Sequence, residues 1–354
     1  MPFSRVKVVG SGLIGTSIAL ALRAHGCEVQ MIDTSSANAE LAQSLVGSIG
    51  QAFSPELVII ATPIAAVSST LREEFLLNPE SWFIDIGGVK TEVVEQVEEF
   101  PEIARRFCAT HPMAGREFSG PESAQSDLFE GRAWVITPNL FSSPGVVAAA
   151  REVVELLGAS AYELSAIEHD RAIALVSHLP QVMSSLLAAQ LVDAGPNELD
   201  IAGQGIRDTT RLAHSSPALW SALLMANRDP LIPYLLNVQR DLANLIESLK
   251  GLNDISIKEL FERGGAGKSR LPGKHGAKSR NYSYLPVVID DQPGRLASLF
   301  TECAAAEVNV EDLQIEHSPG QETGLITLAL SPDDAERLFR HLTLQKWLVQ
   351  TIRK

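Results

Sequence analysis

The chain has 354 residues, 45% of them hydrophobic, and a formal net charge of −14 at pH 7. That length calls for two or three domains, and that apolar content excludes global disorder. The acidic balance argues against nucleic acid or an anionic membrane as a partner, so an anionic substrate must be held by a few placed cations inside a pocket.

The first part of the chain alternates strand and helix patterns. Arg5–Gly10 is a short β-branched run, and Leu13–Gly26 follows with Ile14, Ile18, Ala21 and Leu22 at helical spacing. Glu28–Asp33, Leu57–Thr62 and Trp82–Gly87 are further strand-like runs, with more near Phe107–His111 and Ala133–Pro138. Runs that are apolar on both faces predict a parallel sheet covered by helices, over residues 1–163. From 164 to 261 helical patterns dominate, including Pro230–Leu249, and Pro180 starts or kinks a helix. Ala172–Val192 has 21 residues without a formal charge, yet Ser177, His178, Gln181 and Gln190 make it too polar for a lipid-facing span. It reads as a buried helix of an all-α domain. Residues 262–281 are rich in glycine and basic side chains and read as a linker. Residues 282–354 follow a βαββαβ order, a ferredoxin-like unit. Cys27, Cys108 and Cys303 are widely spaced and form no metal-ligand pattern, so no metal is expected and the compartment is a reducing one, the cytoplasm.

The strongest local signal is Gly10-Ser11-Gly12-Leu13-Ile14-Gly15, a GxGxxG placed between a strand and a helix. Gly10 permits the tight turn, Gly12 lets the backbone approach a pyrophosphate, and Gly15 lets the helix pack on the strand. The free N–H groups of Leu13, Ile14 and their neighbours at the helix start would receive the phosphate charge. Asp33 ends the second strand 18 residues after Gly15, where an acid accepts hydrogen bonds from ribose hydroxyls. Asp33 would repel a 2′-phosphate, which favours NAD, while Thr34, Ser35 and Ser36 leave NADP as the alternative. Thr62-Pro63 and Gly87-Gly88 end the next two strands and face the same edge, where ligands of open α/β sheets bind. His111, between a strand and a loop, has the right intrinsic pKa for a general base, as do other histidines of the chain.

Taken together, GSGLIG at Gly10–Gly15, VIIATP at Val58–Pro63, DIGGVK at Asp85–Lys90, THPMAGRE at Thr110–Glu117, SHLPQ at Ser177–Gln181 and GIRDTTRLAHSSPALW at Gly205–Trp220 resemble the prephenate/arogenate dehydrogenase family. The resemblance implies a Rossmann domain, an all-α dimerisation domain and oxidative decarboxylation of prephenate to 4-hydroxyphenylpyruvate, in tyrosine biosynthesis. It implies His111 as the catalytic base, Arg211 as a carboxylate-binding group, Ser177, His178 and Trp220 as pocket residues, and Glu117 as an acid at the pocket mouth. It also implies a homodimer. Two positions depart from the family's usual pattern: Gly88 stands where a serine is common, and Gln181 where a histidine is common. Arogenate as substrate, and a non-catalytic NAD-sensing role, are the alternatives. Asp291-Gln292-Pro293-Gly294-Arg295-Leu296 resembles the DxPGxL loop of ACT domains, with Asn309 before the next strand. That likeness implies an aromatic amino-acid effector bound near Asp291, Gly294 and Asn309.

Overall fold

A computed structural model describes residues 3–49, 53–115, 120–271, 282–317 and 323–353. In chain order the elements are β1 (Arg5–Val9), α1 (Leu13–Ala24), β2 (Glu28–Ile32), α2 (Ser36–Val46), β3 (Leu57–Ile60), α3 (Val67–Leu77), β4 (Trp82–Asp85), α4 (Thr91–Glu98), α5 (Pro101–Ala104) and β5 (Phe107–Pro112). They continue with β6 (Ala133–Pro138), α6 (Pro144–Leu156), β7 (Ser160–Glu163), α7 (Ala166–Ile173), a π-helical turn (Ala174–His178), α8 (Leu179–Ala189), α9 (Pro196–Leu199), α10 (Gln204–Thr210), α11 (Pro217–Ala226), α12 (Arg228–Lys250) and α13 (Asp254–Lys268). The last are β8 (Ser283–Asp290), α14 (Arg295–Ala305), β9 (Asp312–His317), β10 (Thr323–Leu330), α15 (Pro332–Leu344) and β11 (Leu348–Val349). Two compact bodies result, Met1–Ala189 with Leu212–Gln239, and Gln190–Arg211 with Arg240–Lys354.

The first body is built on a sheet of order β2-β1-β3-β4-β5-β6-β7. Its central strands are apolar on both sides, and all four residues of β3 are buried. One face is covered by Ile18 and Leu22 of α1, Ala42 and Val46 of α2 and Val146–Val154 of α6. The other is covered by Val67 and Leu71 of α3, Val93 and Val97 of α4 and Ile103 of α5. This two-sided burial is the Rossmann architecture that the strand pattern predicts. The predicted parallel pairing holds from β2 through β5. It fails at β6, which runs antiparallel to β5, while β7 is parallel to β6. A parallel crossover is usually carried by a helix. The β5–β6 connection has, among the described residues, only the 3-10 turn Pro121–Ser123, and the chain returns antiparallel.

Ser165 and Glu168 form a reciprocal capping box that starts α7. From there Ala166–Ala189 is one run of 24 residues, long and apolar enough to cross a membrane by length and composition alone. His169, Asp170 and His178 on it are buried and hydrogen-bonded to protein groups, as a protein-packed helix requires. Pro180 sits just past the π turn; its ring excludes the ordinary bond to residue 176, and the wider turn accommodates it. The sequence reading of this helix as wholly buried needs correction. Val176 is 58% exposed and Met183 37%, so apolar side chains of this helix remain uncovered by this body.

In the second body the order β11-β8-β10-β9 is antiparallel, with α14 and α15 packing Leu299, Cys303, Ala335, Leu338 and Leu342 onto Leu285, Val287, Ile326 and Leu328. This is the ferredoxin-like βαββαβ unit predicted for residues 282–354. The predicted linker begins too early, since α13 runs through Gly264, Gly265 and Gly267 to Lys268. Residues 272–281 of that segment lie outside the described residues.

Candidate active site

Gly10 has φ +113, and a side-chain carbon there would stand 2.3 Å from the Ala61 carbonyl oxygen. At Gly15 the same carbon would stand 2.1 Å from Gly10 O. Both positions therefore require glycine. Gly12, the residue before α1, has open space around its Cα, and no side chain caps the helix. The amides of Leu13 and Ile14 thus begin a helix whose N-terminus is uncapped by protein, as a phosphate site needs. Asp33 lies beside this loop: Oδ2 accepts from Ser11 N at 2.7 Å and Oδ1 from Ser35 N at 2.8 Å. Each oxygen keeps a lone pair for a ribose hydroxyl. Ala61 N donates to Val9 O, which sets the β3 end beside the glycine loop, and Thr62 Oγ1 there is buried without a partner among the described residues. Pro63 begins the short 3-10 turn Ile64–Ala66. Gly87 N donates to Asp85 Oδ2 at 2.8 Å.

β5 ends in a network of buried polar side chains. Lys90, fully buried, donates to Asp85 Oδ2 at 2.5 Å and to the Thr110 carbonyl at 2.8 Å. Thr110 returns two bonds to Asp85, from N to Oδ1 at 3.2 Å and from Oγ1 to the carbonyl at 2.6 Å. His111 is the next residue. Its Nδ1 lies 2.9 Å from His169 Nε2, and His169 Nδ1 lies 2.8 Å from Asp170 Oδ1. Asp170 also accepts from the amides of Lys90 and Thr91, both at 2.8 Å. A third histidine joins through Asn227, whose Nδ2 is 2.9 Å from the Asp170 carbonyl oxygen and 3.0 Å from His178 Nδ1. The His178 ring meets Trp220 edge to face, with centroids 5.9 Å apart.

These surroundings decide the charge states. Desolvation, then the proximity of His169, Lys90 and His178, holds the His111 pKa well below the ordinary imidazole value. Burial takes His178 down to about 4, with Asp170 opposing and His169 adding. Burial pushes Asp170 up, but its bonds from His169, Thr91 and Lys90 overcome that and keep it below the ordinary carboxyl value. The site at neutral pH is therefore two neutral imidazoles, His111 and His178, on an ionised Asp170. His111 Nε2 has no partner among the described residues and faces Gly88, where a side-chain carbon would stand 3.7 Å from it and 3.1 Å from Leu223 Cδ2. An unpartnered imidazole nitrogen of this kind can take a proton from a substrate hydroxyl.

The structure thus gathers His111, His178 and Trp220 in one body, with Ser177 half-buried in the π turn beside them. Gln181 donates to the Leu212 carbonyl at 2.7 Å. Arg211 is exposed at the start of the 3-10 turn Arg211–Ala213 and belongs to the second body. Glu117 lies outside the described residues. In the second body Gly294 adopts φ +87 at the start of α14, Asp291 is exposed, and Asn309 bonds Glu311 at 2.9 Å. Sequence reasoning missed His169, Asp170 and Asn227. The one available signal was the capping box, which fixes where the helix begins that carries His169 and Asp170. A cavity of about 810 Å³, lined by Thr91, Asp170, Asn227 and Tyr234 among others, lies behind the chain of histidines, and neither His111 nor His178 lines it.

Residues 18–163 match the family model described as prephenate dehydrogenase, nucleotide-binding domain, and residues 165–262 match that described as prephenate dehydrogenase, dimerization domain. A probable prephenate dehydrogenase of Streptomyces niveus, NovF, is 32% identical over 96% of this chain and 98% of its own. The prephenate dehydrogenase of Bacillus subtilis is 26% identical over 93% of this chain and 92% of its own. Among solved structures, the arogenate dehydrogenase of Synechocystis superposes with a TM-score of 0.63 at 27% identity, over 75% of this chain and 99% of that one.

Proposed function

The chain belongs to the prephenate dehydrogenase family, and from that premise we propose that His111 is the general base that draws the ring hydroxyl proton of prephenate as hydride leaves the same carbon. The chain is an NAD-dependent oxidoreductase acting on a small molecule in tyrosine biosynthesis. NAD, once bound, accepts the hydride. The glycine loop, Asp33 and Thr62 are the groups that fit it, the last through a buried hydroxyl still lacking a partner. The dienone formed is a vinylogous β-keto acid that loses CO2 and becomes aromatic, giving 4-hydroxyphenylpyruvate. No residue need catalyse that second step beyond holding the ring. The observation that carries this reading is a neutral His111 with a bare Nε2 at the C-terminal end of β5, on the sheet edge that also bears the glycine loop.

Arg211 matches the arginine of the family's DxTR-type element, and its planar guanidinium suits a bidentate carboxylate contact. His178, Ser177 and Trp220 line the ring pocket in the same reading. Arg211→Ala raises KM for prephenate at least tenfold with a much smaller change in kcat, since it removes binding rather than chemistry. Initial-rate kinetics decide this, and a fall in kcat alone would take the carboxylate from Arg211. The exposed apolar side chains of Val176 and Met183, on a segment matching a dimerization domain, support a homodimer. Three free, buried cysteines support a cytoplasmic setting. Residues 282–354 act as an ACT-like regulatory unit, with Asp291, Gly294 and Asn309 around an aromatic amino acid.

The test is NADH or NADPH formation with prephenate and with arogenate, each with NAD and NADP, in the presence and absence of tyrosine or phenylalanine. Prephenate with NAD is the productive pair. Turnover of arogenate alone would move the substrate to the amino form. No turnover in any pair, with NAD bound, would leave an NAD-sensing protein. Rates indifferent to both amino acids would remove the effector.

A further inference from the structure

A hydrogen bond between two histidines leaves open which nitrogen carries which proton, and here the outer partners decide it. The Asp170 carboxylate can only accept. His169 Nδ1, 2.8 Å from Asp170 Oδ1, therefore carries a proton and donates it. With that one proton on the His169 ring, its Nε2 is an acceptor and receives a hydrogen bond from His111 Nδ1–H, the arrangement that puts no cation between the two buried rings. His111 Nε2 is left bare.

His178 is set by a different logic. Asn227 presents one side-chain atom both to the Asp170 carbonyl oxygen and to His178 Nδ1. A carbonyl oxygen cannot donate, so that atom must be the amide nitrogen, and the orientation of the Asn227 side chain is fixed. Its second hydrogen goes to His178 Nδ1, which is thereby the acceptor. The proton of neutral His178 sits on Nε2.

We propose that these two buried chains lock His111 and His178 in opposite tautomers, His111 as an Nε2 acceptor and His178 as an Nε2–H donor, with His169, Asp170 and Asn227 as positioning residues. One pocket then offers a substrate both things that oxidation of an anionic ring alcohol demands. A lone pair receives the hydroxyl proton, and a neutral donor binds a carboxylate or carbonyl oxygen without adding a cation beside the base. The assignment deepens the reaction proposed above and rests on it for its meaning, but not for its test.

The test is 15N NMR of the full-length protein labelled at histidine, with His111→Gln and His178→Gln to assign the ring signals. Protonated and bare ring nitrogens resonate far apart. At pH 7 the His111 Nε2 signal is that of a bare nitrogen and the His178 Nε2 signal that of an N–H. Either one reversed overturns the proposal. Asp170→Asn supplies the second arm. The asparagine oxygen stays where His169 Nδ1 and the Lys90 amide both donate, its nitrogen is set against the Thr91 N–H, and the ionic acceptor that fixes the His169 ring is lost. kcat falls by roughly 10⁴-fold, the size met when the aspartate of a Ser-His-Asp triad becomes asparagine, with NAD affinity unchanged. An Asp170→Asn protein that folds and keeps wild-type kcat would overturn the role of Asp170. Turnover of prephenate by a wild type with the wrong tautomers sinks this assignment alone. Correct tautomers without turnover sink the reaction and leave the assignment standing.

Discussion

His111→Asn leaves NAD binding intact and lowers kcat by about 10²–10⁴-fold, the usual loss when a general base is removed. Asparagine keeps an N–H that can still meet His169 Nε2, so the local fold loses little, while the bare nitrogen facing Gly88 is gone. Equal kcat in wild type and variant would take the base away from His111. The wild type should also show an unusual pH profile. Since desolvation and the neighbouring His169, Lys90 and His178 depress the His111 pKa, the base is competent throughout the neutral range. The acid limb of kcat/KM, which reports the free enzyme, falls well below pH 6.5 instead of near it. The same depression acts on stability. In the unfolded chain His111 and His178 take up protons near their ordinary value of 6.5, while the folded chain refuses them, His178 until about pH 4. The unfolded state thus binds more protons across that window, and the stability present above pH 6.5 is lost as pH falls toward 4. Asp170 acts lower still, its contribution disappearing only as pH drops below the ordinary carboxyl value of 3.8. Thermal melts from pH 7 to 4 read this slope, and His111→Asn flattens it.

His111 was legible in the sequence as a candidate and the residues that hold it were not, for a physical reason. Gly10, Gly12, Gly15 and Asp33 announce themselves because one short turn imposes their spacing, and the structure shows steric demand at Gly10 and Gly15. His111 and His178 stand in short motifs whose likeness to a family is enough to single them out. His169 and Asp170, by contrast, follow a capping box in the first turns of a helix, where polar residues are ordinary. Their role comes from partners 58 and 80 positions away, His111 and Lys90. Asn227, one residue before α12, reads locally as a cap, and its partners lie 57 and 49 positions back. Such long-range pairs leave no local periodicity. The opposite error occurred at residues 262–268, where glycines and charges read as a linker. Each glycine costs a helix about 1 kcal/mol, a weak preference that α13 overrides through Gly264, Gly265 and Gly267.

Lys90→Met is the substitution expected to damage the fold most, by about 3–5 kcal/mol, the range for removing one partner of a buried ion pair. Methionine matches the length of the stem and packs where it did, so the loss is electrostatic. Asp85 would be left fully buried without its counter-ion, with only the Gly87 and Thr110 amides to answer it. Urea unfolding measures the loss. Asp85→Asn/Lys90→Met should recover much of it, because the stranded charge is gone. Two single variants whose losses simply add in the double variant would show that the pair is not coupled. A buried ion pair is poor evidence of extra stability, since an apolar pair of the same shape often does as well. What an apolar pair could not do here is hold the Thr110 carbonyl from a fixed side-chain nitrogen, 2.8 Å away, one residue before His111. Lys90 also turns its own backbone amide to Asp170, so the same residue pins both ends of the chain that ends in His111. The double variant should therefore regain stability without regaining full kcat. Recovery of both together would reduce Lys90 to a packing residue and leave the position of His111 to β5 alone.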